Sequence, residues 1–212
     1  MVREQPGSAR LWIPEKTTFP ALAAAVQTCQ GCELYKMATQ AVFGEGSRKA
    51  AVVIVGEQPG DQEDRAGRPF VGPAGQLLDR ALKDAGLNRD AVYVTNAVKH
   101  FSFEERGKRR IHKKPTAPQV SACRPWLEAE LGLIKPEVVV CLGATAALSL
   151  AGRDFRIQKD RGRFLETRWA KRLLITTHPS ALLRMPDKSL FDEQYSQLVG
   201  DLAMVAEFAR LS

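Results

Sequence analysis

Acids, amides, cysteines and histidines stand in this chain at spacings that packing alone does not explain. From Gly56 to Gly75 the sequence reads GEQPGDQEDRAGRPFVGPAG. Six acid or amide side chains (Glu57, Gln58, Asp61, Gln62, Glu63, Asp64) and one aromatic, Phe70, occupy a segment between an apolar strand and an apolar helix, far more polar groups than a turn needs. The run before it, AVVIVG at 51–56, has the continuous apolarity of a strand buried on both faces. A long loop at the carboxyl end of such a strand is where open α/β sheets build ligand sites, so a pocket is expected here.

The four cysteines are Cys29, Cys32, Cys123 and Cys141. C-x-x-C beside irregular sequence, without the βαβ unit of a thioredoxin, favours metal ligation over redox exchange. Thiolates suit zinc and iron–sulfur clusters alike. Cys123, near the start of a predicted helix, is the candidate third ligand. The fourth is either His100, just past a strand, or Cys141 within VVVCL, whose other reading is a buried thiol acting as a small hydrophobe.

Four strand-like runs must position these groups: AVVIVG at 51, AVYVTNAV at 91, EVVVCLG at 137 and RLLITTH at 172. Helical patterns fall between and after them at about 75–85, 117–134, 144–151 and 187–210, with a shorter one around Leu22 to Lys36. Strands alternating with helices imply right-handed crossovers. The predicted fold is α/β, a three-layer α/β/α arrangement with a central four-stranded parallel sheet. Residues 1–212 are expected to form a single domain, with 1–20 as an irregular N-terminal arm. In that fold the loops after Gly56, Val98, Gly143 and Thr177 share one sheet edge, where the acidic loop, a basic loop and the motif HPSALLR at 178–184 converge.

Net charge is +7, and Lys99 to Lys114 (KHFSFEERGKRRIHKK) holds seven Lys or Arg against two Glu. Such a patch neutralises phosphates, so nucleic acid is the expected partner. A membrane is not, because no apolar run approaches the length of a spanning helix. A monomeric, cytoplasmic protein is expected.

Taken in order, GEQPGDQEDRAGRPFVGPAGQLL, VTNAVK, ACRPWL, IKPEVVVCLG and HPSALLR resemble the family 4 iron–sulfur uracil-DNA glycosylases over nearly all of residues 25–205. Two departures from the usual family pattern, Gln58 within GEQPG and an insert containing KRRIH after Lys99 and His100, resemble the UdgX branch, which becomes covalently attached to the abasic site it creates. The resemblance implies a 4Fe-4S cluster held by Cys29, Cys32, His100 and Cys123, with Cys141 left in the core. It also implies uracil-containing DNA as partner, with single strands preferred.

Uracil within a duplex is out of reach, so the nucleotide is extruded or bound already unpaired. Phe70 is the expected stacking platform for the base. Asn96, whose amide offers a donor for O4 and an acceptor for N3–H, is the expected base reader. His178 would hydrogen-bond O2 as negative charge grows there, while Glu57 and Asp61 would stabilise the cation-like sugar or orient a water. Gln58, Glu63 and Asp64 are read as orienting groups. On residue type His112 is a phosphate contact in a basic loop; the resemblance makes it the nucleophile at C1′, with Arg110 positioning the loop through a phosphate or a carboxylate.

Overall fold

The computed structural model describes residues 7–151, 155 and 157–211. Its strands are β1 (Glu45–Gly46), β2 (Val52–Gly56), β3 (Tyr93–Asn96), β4 (Phe103–Arg106), β5 (Arg109–His112), β6 (Val138–Leu142), β7 (Phe164–Leu165) and β8 (Arg172–Thr176). The α-helices are α1 (Phe19–Ala25), α2 (Asp61–Ala66), α3 (Pro73–Asp84), α4 (Ala117–Ile134), α5 (Gly143–Ala151), α6 (Ile157–Asp160), α7 (Pro179–Leu182) and α8 (Lys188–Leu211).

A six-stranded sheet runs in the order β1-β3-β2-β6-β8-β7. Its four central strands are the four read from the sequence and are mutually parallel. The two edge strands, β1 and β7, are antiparallel two-residue additions, too short to leave a periodicity in the sequence. Alternate residues of β2 face opposite layers: Val52 and Ile54 pack with α3 and α8, Val53 and Val55 with side chains of α4 and α5. Helix boundaries follow local chemistry. Pro73 opens α3, and Gly86, at φ +75°, ends it. Thr116 and Gln119 close a capping box on α4, with Gln119 Oε1 accepting from the Thr116 N–H at 2.8 Å.

Two sequence expectations change. Of the arm expected over 1–20, residues 1–6 lie outside the described residues, and the rest holds a 3-10 turn at Ala9–Trp12 before α1 begins at Phe19. The helical stretch around 22–36 is α1 followed by two 3-10 turns, with Cys29 to Cys32 irregular between them. Among the described residues no helix is long and apolar enough to cross a membrane.

Under the sheet edge lies an ion pair whose lysine, Lys99, the sequence counts in the basic run expected to face phosphates. Lys99 is fully buried; its Nζ donates to Glu130 Oε2 at 2.5 Å, Thr95 Oγ1 at 2.6 Å and the Asn96 carbonyl at 2.8 Å. Glu130 in turn accepts from the Tyr93 hydroxyl at 2.9 Å and the Gly44 N–H at 3.0 Å. Every charge-bearing atom is thus paired, the condition under which such a pair is tolerated. Lys99→Met strands the Glu130 carboxylate and should cost about 3–5 kcal/mol in urea unfolding, with Lys99→Met/Glu130→Gln recovering much of it.

Candidate active site

The carboxyl ends of β2, β3, β6 and β8 surround a cavity of about 310 Å³ lined by Glu57, Gln58, Gly60, Glu63, Phe70, Ala74, Asn96, His112, Leu142, Gly143, Ala144, His178, Ser180 and Arg184. That volume is at the small end of ligand sites, the scale of one ring and its surroundings. Backbone economy shapes its floor. A Cβ at Gly56 would stand 2.4 Å from Asn96 Oδ1 and 2.7 Å from the Phe70 ring, so only glycine lets these two side chains meet there. Phe70 itself has φ +56°, a left-handed conformation rare for an aromatic, and its carbonyl sits where a Cβ of residue 75 would be, which Gly75 avoids. Glu63 holds this strained loop closed by accepting from the Gly60 N–H at 3.0 Å and the Gly72 N–H at 2.7 Å.

The walls are polar in a specific way. Asn96 ends β3, is 3 % exposed, and among the described residues no hydrogen bond engages its side-chain amide, which leaves both its donor and its acceptor for a ligand. His178 caps α7: its Nδ1 accepts from the Ser180 N–H at 3.1 Å, so the ring proton resides on Nε2. Burial pushes its pKa down to about 4, against the pull of Glu57, so the ring is neutral at physiological pH. The Phe70 and His178 rings stack with centroids 6.3 Å apart.

Glu57 follows β2 and is fixed by the Val98 N–H, which donates to its carbonyl at 3.0 Å. One carboxylate oxygen faces His112 Nε2 at 3.3 Å and the other accepts from the Thr145 hydroxyl. Burial opposes ionisation of this carboxyl, but the bonds from His112 and Thr145 outweigh it and hold the pKa below the ordinary carboxylate value. Asp61, expected beside Glu57 in the chemistry, lies outside the cavity lining. Its carboxylate is taken by Arg65 at 3.0 Å and Arg110 at 2.5 Å, because α2 turns it away from the pocket.

The charged insert is a β-hairpin. β4 and β5 pair in antiparallel register, Phe103 against His112 and Glu105 against Arg110, around Gly107 at φ +61°. Arg110 and His112, two residues apart, share one face of the ribbon. Arg110 is committed to the protein: Nε meets Asp61, Nη1 donates to Asp64 at 2.6 Å and Thr39 Oγ1 at 3.1 Å, and the guanidinium lies over the Phe101 and Phe103 rings. Of the two partners the sequence left open for Arg110, phosphate or carboxylate, the carboxylates hold it. Asp64, fully buried, is its anchor and does not line the cavity. Gln58 grips the other end of the hairpin: its Oε1 accepts from the Ser102 N–H at 3.0 Å, and its Nε2 donates to the carbonyls of Ser102 and Lys113, both at 3.1 Å. With Lys99 and Arg110 turned inward, the cations left on the exposed surface of the insert are Arg106, Lys108, Arg109, Lys113 and Lys114.

Cys29, Cys32 and Cys123 gather on the far side of α4 with Trp126 and Val98; Cys29 raises the pKa of Cys32, and Cys29 and Cys32 both raise that of Cys123. Burial pushes Cys123 up to about 12, against the pull of Lys99. The Trp126 indole N–H donates to Cys29 Sγ and the Lys99 N–H to Cys123 Sγ, each at 3.2 Å. His100 is buried and lines a small cavity with Cys29; burial lowers its pKa, leaving it neutral. Cys141 lies apart, in the layer between the sheet and α5. Among the described residues no three His, Cys, Asp or Glu side chains are grouped to hold a metal ion. The sequence-derived ligand set is thus three neighbouring thiols and one nearby imidazole, rather than a closed coordination sphere.

The sequence profile of the Uracil DNA glycosylase superfamily matches residues 43–203. A Type-4 uracil-DNA glycosylase of Thermotoga maritima is 40% identical over 160 residues, 75% of this chain and 80% of that protein. The Type-4 enzyme of Pyrobaculum aerophilum is 42% identical over 168 residues, 76% of this chain and 82% of its own, and that of Archaeoglobus fulgidus 37% over 184 residues, 84% and 89%. The chain belongs to the family 4 uracil-DNA glycosylases. Within this family 4 chain, Thr145 and the Lys99–Glu130 pair went unnoticed in the sequence. A threonine after a strand and a lysine in a basic run are ordinary residues until the fold brings a carboxylate to each.

Proposed function

We propose that this chain excises uracil from DNA and ends joined to the abasic sugar through His112, as in the UdgX branch. One observation carries the reading: the His112 imidazole stands half-exposed at the cavity rim, its Nε2 3.3 Å from Glu57, with Phe70, Asn96 and His178 on the remaining walls. Gln58 and Arg110, which pin the two ends of the hairpin bearing His112, support a role that demands a fixed imidazole rather than a mobile phosphate contact.

In this reading an extruded uracil stacks on Phe70 while Asn96 donates to O4 and accepts from N3–H. As the C1′–N1 bond breaks, its electron pair leaves with uracil, and the neutral His178 donates its Nε2–H to O2. Glu57, kept ionised, faces the cationic sugar. An imidazole nitrogen of His112 then forms the bond to C1′ ahead of water, and the proton the ring carries is relayed through Glu57. Uncoupled from this step, Asp61 and Asp64 act by holding Arg110. Single strands are the preferred substrate, since extrusion there avoids the cost of unpairing.

The neighbouring thiols of Cys29, Cys32 and Cys123, two of them accepting N–H bonds, together with neutral His100, suit a 4Fe-4S cluster in donor chemistry. Such a cluster would tie the N-terminal segment to α4 and to the strand end that carries Asn96. Purified anaerobically, the protein should be brown and contain iron; a colourless protein containing zinc would replace the cluster with a zinc site.

The covalent reading is tested by incubating the protein with a uracil-containing single-stranded oligonucleotide and separating the products by denaturing electrophoresis. A slow band that survives heat and detergent, absent with the thymine oligonucleotide, is expected. Free uracil released over many turnovers without such a band would remove the covalent step and leave a conventional family 4 enzyme.

A further inference from the structure

We infer that Thr145 is a positioning residue of this site, acting through Glu57: its hydroxyl holds one carboxylate oxygen so that the other faces His112. The inference rests on the proposed function, because it gives the Glu57–His112 contact its purpose.

Thr145 is 4 % exposed and stands in the first turn of α5, directly after β6. Its Oγ1 donates to Glu57 Oε2, while Glu57 Oε1 meets His112 Nε2 at 3.3 Å. Among the described residues no other hydroxyl or amide donates to this carboxylate. The terminal torsion of a glutamate is broad, so a carboxylate without such a donor would swing away from the imidazole. The three side chains come from three separate places, the loop after β2, the end of β5 and the start of α5. A hydroxyl, a carboxylate and an imidazole therefore form one line ending at the cavity mouth, the order in which a carboxylate is oriented so as to orient a ring.

Removing the hydroxyl has a defined sign, with His112 and His178 the titratable groups that face this carboxyl. The carboxyl now sits below its ordinary pKa, so its ionised form is lost only as pH falls through that lowered value. Without the Thr145 bond, burial is less opposed, the pKa rises and the ionised form is lost at higher pH. Loss of one hydrogen bond to a charged group corresponds to about tenfold in rate.

The test follows excision and adduct formation separately, from about pH 5 to about pH 9, for wild type, Thr145→Val, Thr145→Ala and Thr145→Ser, each also in a Glu57→Gln background. The two variants without a hydroxyl should be about tenfold slower at the alkaline end, where the carboxylate is ionised but unheld, and slower still toward the acid end, where it is protonated earlier than in wild type. Thr145→Ser should return the profile to wild type, and in the Glu57→Gln background none of the three should change the rate further. No loss at the alkaline end, no recovery with serine, or an undiminished effect in the Glu57→Gln background would overturn the inference. Absence of any adduct with the wild type would instead end the covalent reading, and the pH profile of excision would still decide the role of Thr145.

Discussion

Replacing His112 by glycine should end adduct formation completely while uracil excision continues and turns over, the outcome the proposed link through this imidazole requires. The expectation follows from where the imidazole stands. His112 lies at the rim of the cavity and contacts Glu57, whereas the groups proposed to read and stack the base, Phe70, Asn96 and His178, line its other walls, so on the proposed mechanism its loss removes the competitor to water and spares recognition. A held nucleophile owes its success to effective concentration, and glycine at this position leaves a gap that water fills beside the same carboxylate. Denaturing gels should show no slow band, and released uracil should exceed the enzyme present. Persistence of the band in the glycine variant would move the covalent bond to another side chain; loss of excision along with the band would make His112 a group needed for bond cleavage.

Replacing His178 by alanine should slow excision about 10²–10³-fold with little change in oligonucleotide binding, the usual loss when a donor to a developing anion is removed. The geometry supplies the reason. With Nδ1 occupied by the Ser180 N–H, Nε2 is the protonated atom, and the low pKa of about 4 keeps the ring neutral across the physiological range. A neutral donor strengthens its bond only as charge develops on the leaving uracil, so the effect belongs to the rate of bond cleavage and not to affinity. Since the folded pKa lies below the ordinary histidine value, wild-type excision should not titrate with this residue between about pH 5 and about pH 8. Single-turnover excision measured beside oligonucleotide binding checks both statements. Equal losses in binding and rate would assign His178 to holding the base in the ground state.

Much of this was legible in one dimension. AVVIVG at 51, AVYVTNAV at 91, EVVVCLG at 137 and RLLITTH at 172 announced the four central strands, which lie at Val52–Gly56, Tyr93–Asn96, Val138–Leu142 and Arg172–Thr176, because a strand buried in a parallel sheet is rich in apolar residues. The loop after β2 announced itself because its acids and amides exceed what a turn uses, and the order of βα units brings it to the same edge as Asn96 and His178. Cys29 and Cys32 stood out by spacing alone. Residue type and order are enough for conclusions of that kind, since periodicity and crossover handedness are local rules.

Partnership is not a local property, and there the tertiary structure decided. Lys99 and Arg110 belong to a basic run in sequence, yet Lys99 is buried against Glu130 and Arg110 against Asp61 and Asp64, contacts separated by 31, 49 and 46 residues. Asp61 and Glu57 lie four residues apart in one acidic loop, yet α2 sends the first to Arg110 while the second enters the cavity. Thr145 carries no sequence signal at all until it meets Glu57 across 88 residues. A carboxylate's character depends on which donor or cation faces it, and only the folded chain brings the two together.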